Sequence, residues 1–181
     1  MSDTTGMSLR DKMFSFDGRL RRADYWGISI FLGLIVFVIT ETVMLYGFGP
    51  EYSLFTGGFD AGARRAADGW PYAVQMLLNL VTIWPNFAMS AKRAHDRDKS
   101  AKVIIALLAI MWILTTIQVP LMSVYAETFT SPALSIAYLA YSFGMLGICI
   151  YVFVVVGCLD GTKGLNRFGP SPKADELAEA A

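Results

Sequence analysis

The sequence contains little of what metal sites, disulfides and nucleic-acid interfaces require. Its two cysteines, Cys149 and Cys158, lie nine residues apart on one apolar segment, about 13 Å along a helix, so they cannot form a disulfide within it. A single histidine does not complete a His/Cys metal site. Fifteen basic residues balance fifteen acidic ones, which excludes a strongly basic nucleic-acid-binding domain. We therefore expect no metal, no cofactor and no nucleic-acid partner.

Catalytic motifs are also missing. The chain has no P-loop, no G-x-G-x-x-G, no G-x-S-x-G and no H-E-x-x-H sequence. The pair His95 and Asp96 occurs in metal-dependent phosphohydrolases, but those sites need further histidine ligands, which this chain lacks. We interpret His95 as an ordinary loop histidine bonded to a neighbour or to solvent. The sequence therefore predicts a protein that is not an enzyme.

Apolar residues, in contrast, are abundant. The hydrophobic fraction is 55% and the charged fraction 17%, whereas soluble domains average about 45–50% and 25%. The mean hydropathy is +0.48. A chain of 181 residues corresponds to one domain. These values indicate a membrane protein.

Four long stretches carry few or no charges: 25–48, interrupted only by Glu41, then 70–91, 103–126 and 128–159. Each reaches the roughly 20 residues that cross a hydrocarbon core of about 30 Å. The first is too long for the apolar part of a cleaved signal peptide. The sequence thus predicts an all-α, polytopic membrane protein with a bundle of four transmembrane helices over 25–159.

The basic residues predict the orientation. Thirteen of the fifteen Lys and Arg fall on one side if both termini are cytoplasmic, as the positive-inside rule requires. Residues 1–24 then form a cytoplasmic N-terminal segment, in which 9–16 has the composition of a short interfacial helix. Residues 160–181 form a cytoplasmic, turn-rich tail.

The second predicted helix carries a polar stripe with spacings of four, three and four, which places its members on one face: Gln75, Asn79, Thr82 and Asn86. Because an amide in lipid is costly, we expect this face to contact protein. Hydrogen bonding between helices is the simplest role, and the lining of a polar pathway is the alternative.

The fourth predicted helix carries a stripe of small residues, which favours close helix packing in membranes: Ala133, Ala137, Ala140, Gly144 and Gly147. We interpret it as a packing seam within the chain, with dimerisation as the alternative. Glu41 is the one acid inside a predicted span. It either extends to the outer surface or forms a proton or ion site, although no span offers it a basic partner.

Three motifs resemble a known family. They occupy 16–26 (FDGRLRRADYW), 92–100 (KRAHDRDKS) and 164–172 (GLNRFGPSP). In order and placement they are similar to the bacterial inner-membrane family known as domain of unknown function 805, over about 14–172. The resemblance implies a multi-pass protein of the bacterial inner membrane. It implies no reaction, because the activity of the family is not established.

Under the predicted topology all three motifs lie on the cytoplasmic side. They either only set the orientation and the turns, or they build a cytoplasmic-face site that holds anionic lipid headgroups or an acidic segment of a partner protein. Asp96 and Asp24 could equally pair with the arginines. The candidate site residues are Arg19, Arg22, Arg93, His95, Asp96, Asn166 and Arg167.

We therefore expect a small, non-enzymatic interaction or envelope module embedded in the lipid bilayer. An oligomeric transporter or channel component is the alternative, based on Glu41 and the polar stripe. A membrane enzyme acting on lipid or phosphate groups, built around Arg93, His95 and Asp96, is a third reading. The sequence identifies neither the partner nor the oligomeric state.

Overall fold

Helices account for the regular structure in the computed structural model, which describes residues 7–125 and 132–173. Within those ranges no strand forms, and a single antiparallel bridge joins Asn166 to Gly169. The prediction of an all-helical chain is thus confirmed for the described residues. The helices are α1 Leu9–Phe14, α2 Arg22–Val43, α3 Leu54–Gly57, α4 Asp60–Ala67, α5 Gly69–Asp96, α6 Lys102–Tyr125 and α7 Pro132–Val152.

Each of the four apolar stretches forms a long helix. A π-helical turn, Met44–Phe48, continues α2, and another, Phe153–Cys158, continues α7. Pro132 stands at the first position of α7, where the missing N–H leaves no hydrogen bond unmade. Helix α1 begins after Ser8, whose side chain accepts from the backbone N–H of Asp11, a standard N-cap.

Two helical segments in the described part of the chain are long and apolar enough to cross a membrane, Arg22–Phe48 and Ser135–Cys158. A shorter apolar helix covers Lys102–Ile117. Large apolar side chains on the two long segments are exposed, among them Phe31 and Phe143. An apolar solvent such as lipid removes the cost of that exposure.

The chain divides into two compact units. The first comprises Met1–Ile30, Ile83–Ala109 and Ile148–Ala181, and the second comprises Phe31–Thr82 and Ile110–Gly147. Each unit contains buried charged residues. Those of the first are Arg19, Lys92, Arg93 and Asp96, and those of the second are Glu41 and Arg65.

The small-residue stripe of α7 does not pack against the part of the chain that the structure describes. All five of its residues are exposed, and a Cβ at Gly144 or Gly147 would have no atom within 4 Å. The predicted intramolecular seam is therefore wrong. The half-buried face of α7 carries larger and hydroxyl-bearing side chains, including Ser135, Tyr138 and Ser142, which can bond to neighbouring groups as well as fill space.

Candidate functional site around Asp96

Asp96 is the last residue of α5, and the chain reverses direction directly after it. The backbone N–H groups of Arg97 and Lys99 both donate to the carbonyl of Ala94, and Asp98 has a positive φ of 56°. A carboxylate at a helix C-terminus is opposed by the helix dipole. Asp96 is nevertheless only 4% exposed, so neighbouring cations must stabilise it.

Arg19 is the first of these cations. Its Nε donates to Oδ1 of Asp96 at 2.9 Å. Its other nitrogens donate to the carbonyls of Thr162 at 2.5 Å, Gly164 at 2.7 Å and Gly169 at 3.2 Å. One guanidinium thus connects the N-terminal motif, the end of α5 and the tail.

Arg93 is the second cation, one helical turn before Asp96. It donates to Oδ2 of Asp96 at 2.7 Å and to the carbonyl of Leu20 at 3.2 Å. Its remaining nitrogens donate to the carbonyls of Val156 at 2.8 Å and Leu159 at 2.7 Å. Its side chain is 1% exposed.

Each carboxylate oxygen of Asp96 is therefore held by a different arginine. A buried ion pair is tolerated only when further hydrogen bonds satisfy the remaining groups, and backbone carbonyls do so here. Both of its oxygens thus accept charge-assisted hydrogen bonds. We call Arg19, Arg93, His95, Asp96 and Asn166 the Asp96 cluster.

His95 is held by a ring contact. Its imidazole stacks on Phe168 with ring centroids 3.9 Å apart and planes 9° apart. Its Nδ1 lies 3.3 Å from the carbonyl oxygen of Gly18. Burial lowers the pKa of His95, and the Gly18 carbonyl opposes that shift. The ring is thus a neutral packing surface near pH 7.

Asn166 organises the tail against α5. Its backbone exchanges two hydrogen bonds with Gly169, and its Oδ1 accepts from the N–H of Phe168 at 2.9 Å. Its Nδ2 donates to the carbonyl of His95 at 2.9 Å. The side chain therefore both shapes the turn and attaches it to the helix end.

Two of the candidate arginines do not reach Asp96. Arg22 lies 3.5 Å from Asp160, and Arg167 lies 3.2 Å from Asp98, with all four side chains well exposed. Of the arginines that could pair with Asp96, Arg19 and Arg93 do so, whereas other carboxylates engage Arg22 and Arg167. The three motif segments are in mutual contact as predicted. That they form a binding site stays a prediction.

Sequence reasoning missed Lys92. It is fully buried, and its Nζ donates to the carbonyls of Asp11 and Lys12, the first of which also accepts from the backbone N–H of Ser15. Burial lowers its pKa to about 8, opposed by the nearby Asp11. In the sequence Lys92 is one of five Lys and Arg within 92–102, so nothing distinguishes it.

Gly161 was also missed. A Cβ at this position would overlap the carboxylate of Asp96. The backbone N–H of the next residue, Thr162, donates to the carbonyl of Asp96 at 2.8 Å. Glycine is thus required for the tail to approach this closely. A glycine in a turn-rich tail gives no such signal in the sequence.

The predicted polar stripe lies on a partly covered face of α5. Its four residues are half-buried, whereas Leu77, Leu80 and Val81 are exposed. Thr82 Oγ1 donates to the carbonyl of Asn79 within the helix. Whether the stripe serves packing or a polar pathway stays a prediction.

Glu41, in the second unit, is buried with 1% of its side chain exposed. Arg65 donates from one Nη to both of its oxygens at 2.8 Å. The Ser53 hydroxyl at 3.1 Å and the Leu54 N–H at 2.6 Å complete its shell. We call these four residues the Glu41 cluster.

The predicted extension of Glu41 to the outer surface is therefore wrong. Part of the segment between the first two apolar stretches forms α4, which brings Arg65 to the carboxylate. The basic partner of Glu41 is therefore Arg65 of α4, which lies between the apolar stretches and not inside one of them.

The comparison with protein families identifies the chain. The model for the protein of unknown function family DUF805 matches residues 13–170, a range that contains Arg19, Arg93, His95, Asp96 and Asn166. The chain belongs to the DUF805 family.

Two curated relatives are similar to the chain at low identity. The chain is 23% identical over 167 residues to the inner membrane protein YhaI of Escherichia coli strain K12 and to YhaI of E. coli O157:H7. The match covers 92% of this chain and 93% of each relative. No solved structure matches the chain. The family is thus one of membrane proteins whose activity is unknown.

Proposed function

We propose that this DUF805 protein is a non-enzymatic, integral protein of the bacterial inner membrane. In this proposal it has four membrane spans, both termini are cytoplasmic, and the Asp96 cluster forms a rigid cytoplasmic face through which the protein acts as an interaction or envelope module.

Helix lengths and the charge distribution support the topology. Helices α2, α5, α6 and α7 contain 22, 28, 24 and 21 residues, and each is therefore longer than the roughly 20 residues that a span needs. Thirteen of fifteen basic residues fall on the proposed inner side. The printed name of the relative YhaI, an inner membrane protein, supports the membrane location and not the number of spans.

One observation carries the non-enzymatic role. Both oxygens of Asp96 and the donors of its two arginines bond within the protein. The ring of His95 packs against Phe168. The groups that would otherwise be read as catalytic are used to join three chain segments, which is what a preformed interaction face requires.

Cysteine labelling tests the topology. In a background with Cys149→Ser and Cys158→Ser, we expect Ala63→Cys to react with an impermeant thiol reagent in intact cells. We expect Lys99→Cys to react only after permeabilisation, because it would lie inside. The reverse pattern would contradict the proposal.

Photocrosslinking tests the interaction role. A photoreactive amino acid at the exposed Leu165, next to Asn166 of the cluster, should give a defined lipid or protein adduct in cells, and one at Ala63 should not. Asp96→Asn should abolish the Leu165 adduct at equal membrane abundance, whereas the exposed control Asp98→Asn should retain it. If the Asp96→Asn variant gives the same adduct as the parent protein, the cluster has no role in the interaction.

The half-buried polar stripe of α5 supports a second candidate, an oligomeric transporter or channel component. That candidate predicts charge-dependent flux through the protein in liposomes, reduced by Asn79→Leu. The module proposed above predicts no flux in either variant.

A further inference from the structure

A cavity of about 150 Å³ opens beside the Asp96 cluster, entirely within the first unit. Ligand pockets for drug-sized molecules measure roughly 300–1,000 Å³, and a water occupies about 30 Å³. The cavity therefore suits a small group with a few oxygen atoms, and it is too small for a nucleotide. Its lining residues are Arg21, Arg22, Arg93, Asp96, Asp160, Gly161, Thr162, Lys163, Ser171, Pro172 and Lys173.

The lining is positively charged. It contains five basic and two acidic side chains. Asp96 is engaged by its two arginines, and Asp160 lies 3.5 Å from Arg22. Both acids are thus compensated locally, while Lys163 and Lys173 add charge from exposed positions. A negative ligand is favoured here by charge alone.

The polar groups match a phosphate. Guanidinium groups bind phosphate oxygens through paired donors, and lysines add mobile positive charge. Ser171 is only 5% exposed, and its Oγ accepts from the N–H of Lys173 at 3.3 Å. Because a hydroxyl can accept and donate at the same time, Ser171 retains a donor for a ligand.

The cavity lies where apolar helix gives way to charged chain. Arg21 and Arg22 stand at the start of the apolar segment Arg22–Phe48, and Asp160 follows the end of the segment Ser135–Cys158. In a membrane, such helix ends lie at the depth of the lipid headgroups. A phosphate at that depth is most simply provided by a lipid.

We propose that this cavity binds the phosphate group of an anionic lipid headgroup, with Lys163 and Lys173 as the recognising cations. The inference rests on the proposed cytoplasmic-face location and narrows the partner class to a phosphate-bearing lipid. Arg19 and Arg93, by contrast, act from within the protein, since their donors bond to Asp96 and to backbone carbonyls.

The test measures lipid affinity of the purified full chain in neutral detergent by native mass spectrometry, with phosphatidylglycerol as the anionic probe and phosphatidylcholine as the zwitterionic one. We expect phosphatidylglycerol to bind more tightly. The double variant Lys163→Gln/Lys173→Gln should weaken that binding about tenfold, because it removes two charge-assisted contacts. The matched control Lys99→Gln/Lys102→Gln loses the same charge outside the cavity lining and should stay within about twofold.

A competition arm distinguishes the two sources of phosphate. If millimolar inorganic phosphate leaves phosphatidylglycerol bound, the lipid is the ligand. If it displaces the lipid from the parent protein but has no effect on the Lys163→Gln/Lys173→Gln variant, the cavity is a phosphate site that a soluble ion can fill. Equal weakening in the two double variants, or no preference for the anionic lipid, would overturn the inference. Cysteine labelling tests the topology independently of these lipid measurements. A negative lipid result would therefore overturn the inference about the cavity and leave the proposed topology unaffected.

Discussion

Two buried carboxylates, one in each unit, are stabilised in different ways. The two oxygens of Asp96 accept hydrogen bonds from two different arginines, whereas both oxygens of Glu41 accept from Arg65. Asp96 and Arg19 are 77 positions apart in the chain, and Glu41 and Arg65 are 24 apart. The first carboxylate therefore joins distant segments, and the second closes a local loop.

The difference concerns what each cluster holds together. The Asp96 cluster joins the N-terminal motif, the end of α5 and the tail. The Glu41 cluster fixes α4 against the end of α2. Without the Glu41 carboxylate, the buried guanidinium of Arg65 has no counterion. Without the Asp96 carboxylate, two buried guanidinium groups lose theirs.

The largest effect should follow Asp96→Asn. Removing one partner of a buried ion pair costs about 3–5 kcal/mol, and here two arginines lose their shared carboxylate. We expect the free energy of unfolding in mild detergent to fall by about that amount. Asp98→Asn is the matched control, because its pair with Arg167 is exposed and is worth about 0–1 kcal/mol. If the free energy of unfolding falls by similar amounts in Asp96→Asn and Asp98→Asn, the buried pairs stabilise the protein no more than the exposed one.

Glu41→Gln should cost somewhat less, about 3 kcal/mol, the lower end of the range for breaking a buried ion pair, because it leaves one arginine without its carboxylate and not two. The sharper test is rescue. Adding Arg65→Met removes the stranded charge and should restore much of the loss in a denaturation experiment, since an apolar pair often replaces a buried ion pair. Neither Arg19→Met nor Arg93→Met should rescue Asp96→Asn, because the other arginine stays unpaired.

Gly161→Ala probes how closely the tail approaches Asp96. The added methyl would overlap the carboxylate, and overpacking costs about 1–3 kcal/mol. We expect lower thermal stability and faster proteolysis of the tail. Gly27→Ala, where a Cβ meets no atom within 4 Å, should be neutral or slightly stabilising. An unchanged Gly161→Ala variant would mean that the tail is not held against α5.

The smallest effect is a pH dependence from His95. Its pKa is lowered by burial from the ordinary 6.5, with the Gly18 carbonyl and Asp17 opposing and Arg167 and Lys92 reinforcing the shift. The unfolded chain therefore binds the proton first, and stability should fall as the pH drops below about 6.5. His95→Phe keeps the stacking but cannot titrate, so its unfolding curve should lose that part of the pH dependence. An identical pH profile in both proteins would exclude His95 as the cause.

The sequence predicted the long helices well and the ion pairs only in part. Charge-free stretches identify apolar helices because each signal is local, and the three motifs correctly indicated segments that meet. The sequence did not show which arginines pair with Asp96. Arg19, Arg22 and Arg167 have the same side chain, and only their positions in the folded chain distinguish them. Arg65 was missed because its contact with Glu41 depends on α4, which the Gly- and Ala-rich composition did not reveal.

A double-mutant cycle on the free energy of unfolding tests the central claim that Asp96 joins the N-terminal motif to α5 through Arg19. Asp96→Asn is combined with Arg19→Gln and, separately, with Arg167→Gln. We expect a coupling of about 1.5 kcal/mol or more with Arg19, and less than about 0.5 kcal/mol with Arg167, which is the error for independent sites. Coupling below about 0.5 kcal/mol with Arg19 would contradict the account and leave the three motifs as determinants of orientation alone.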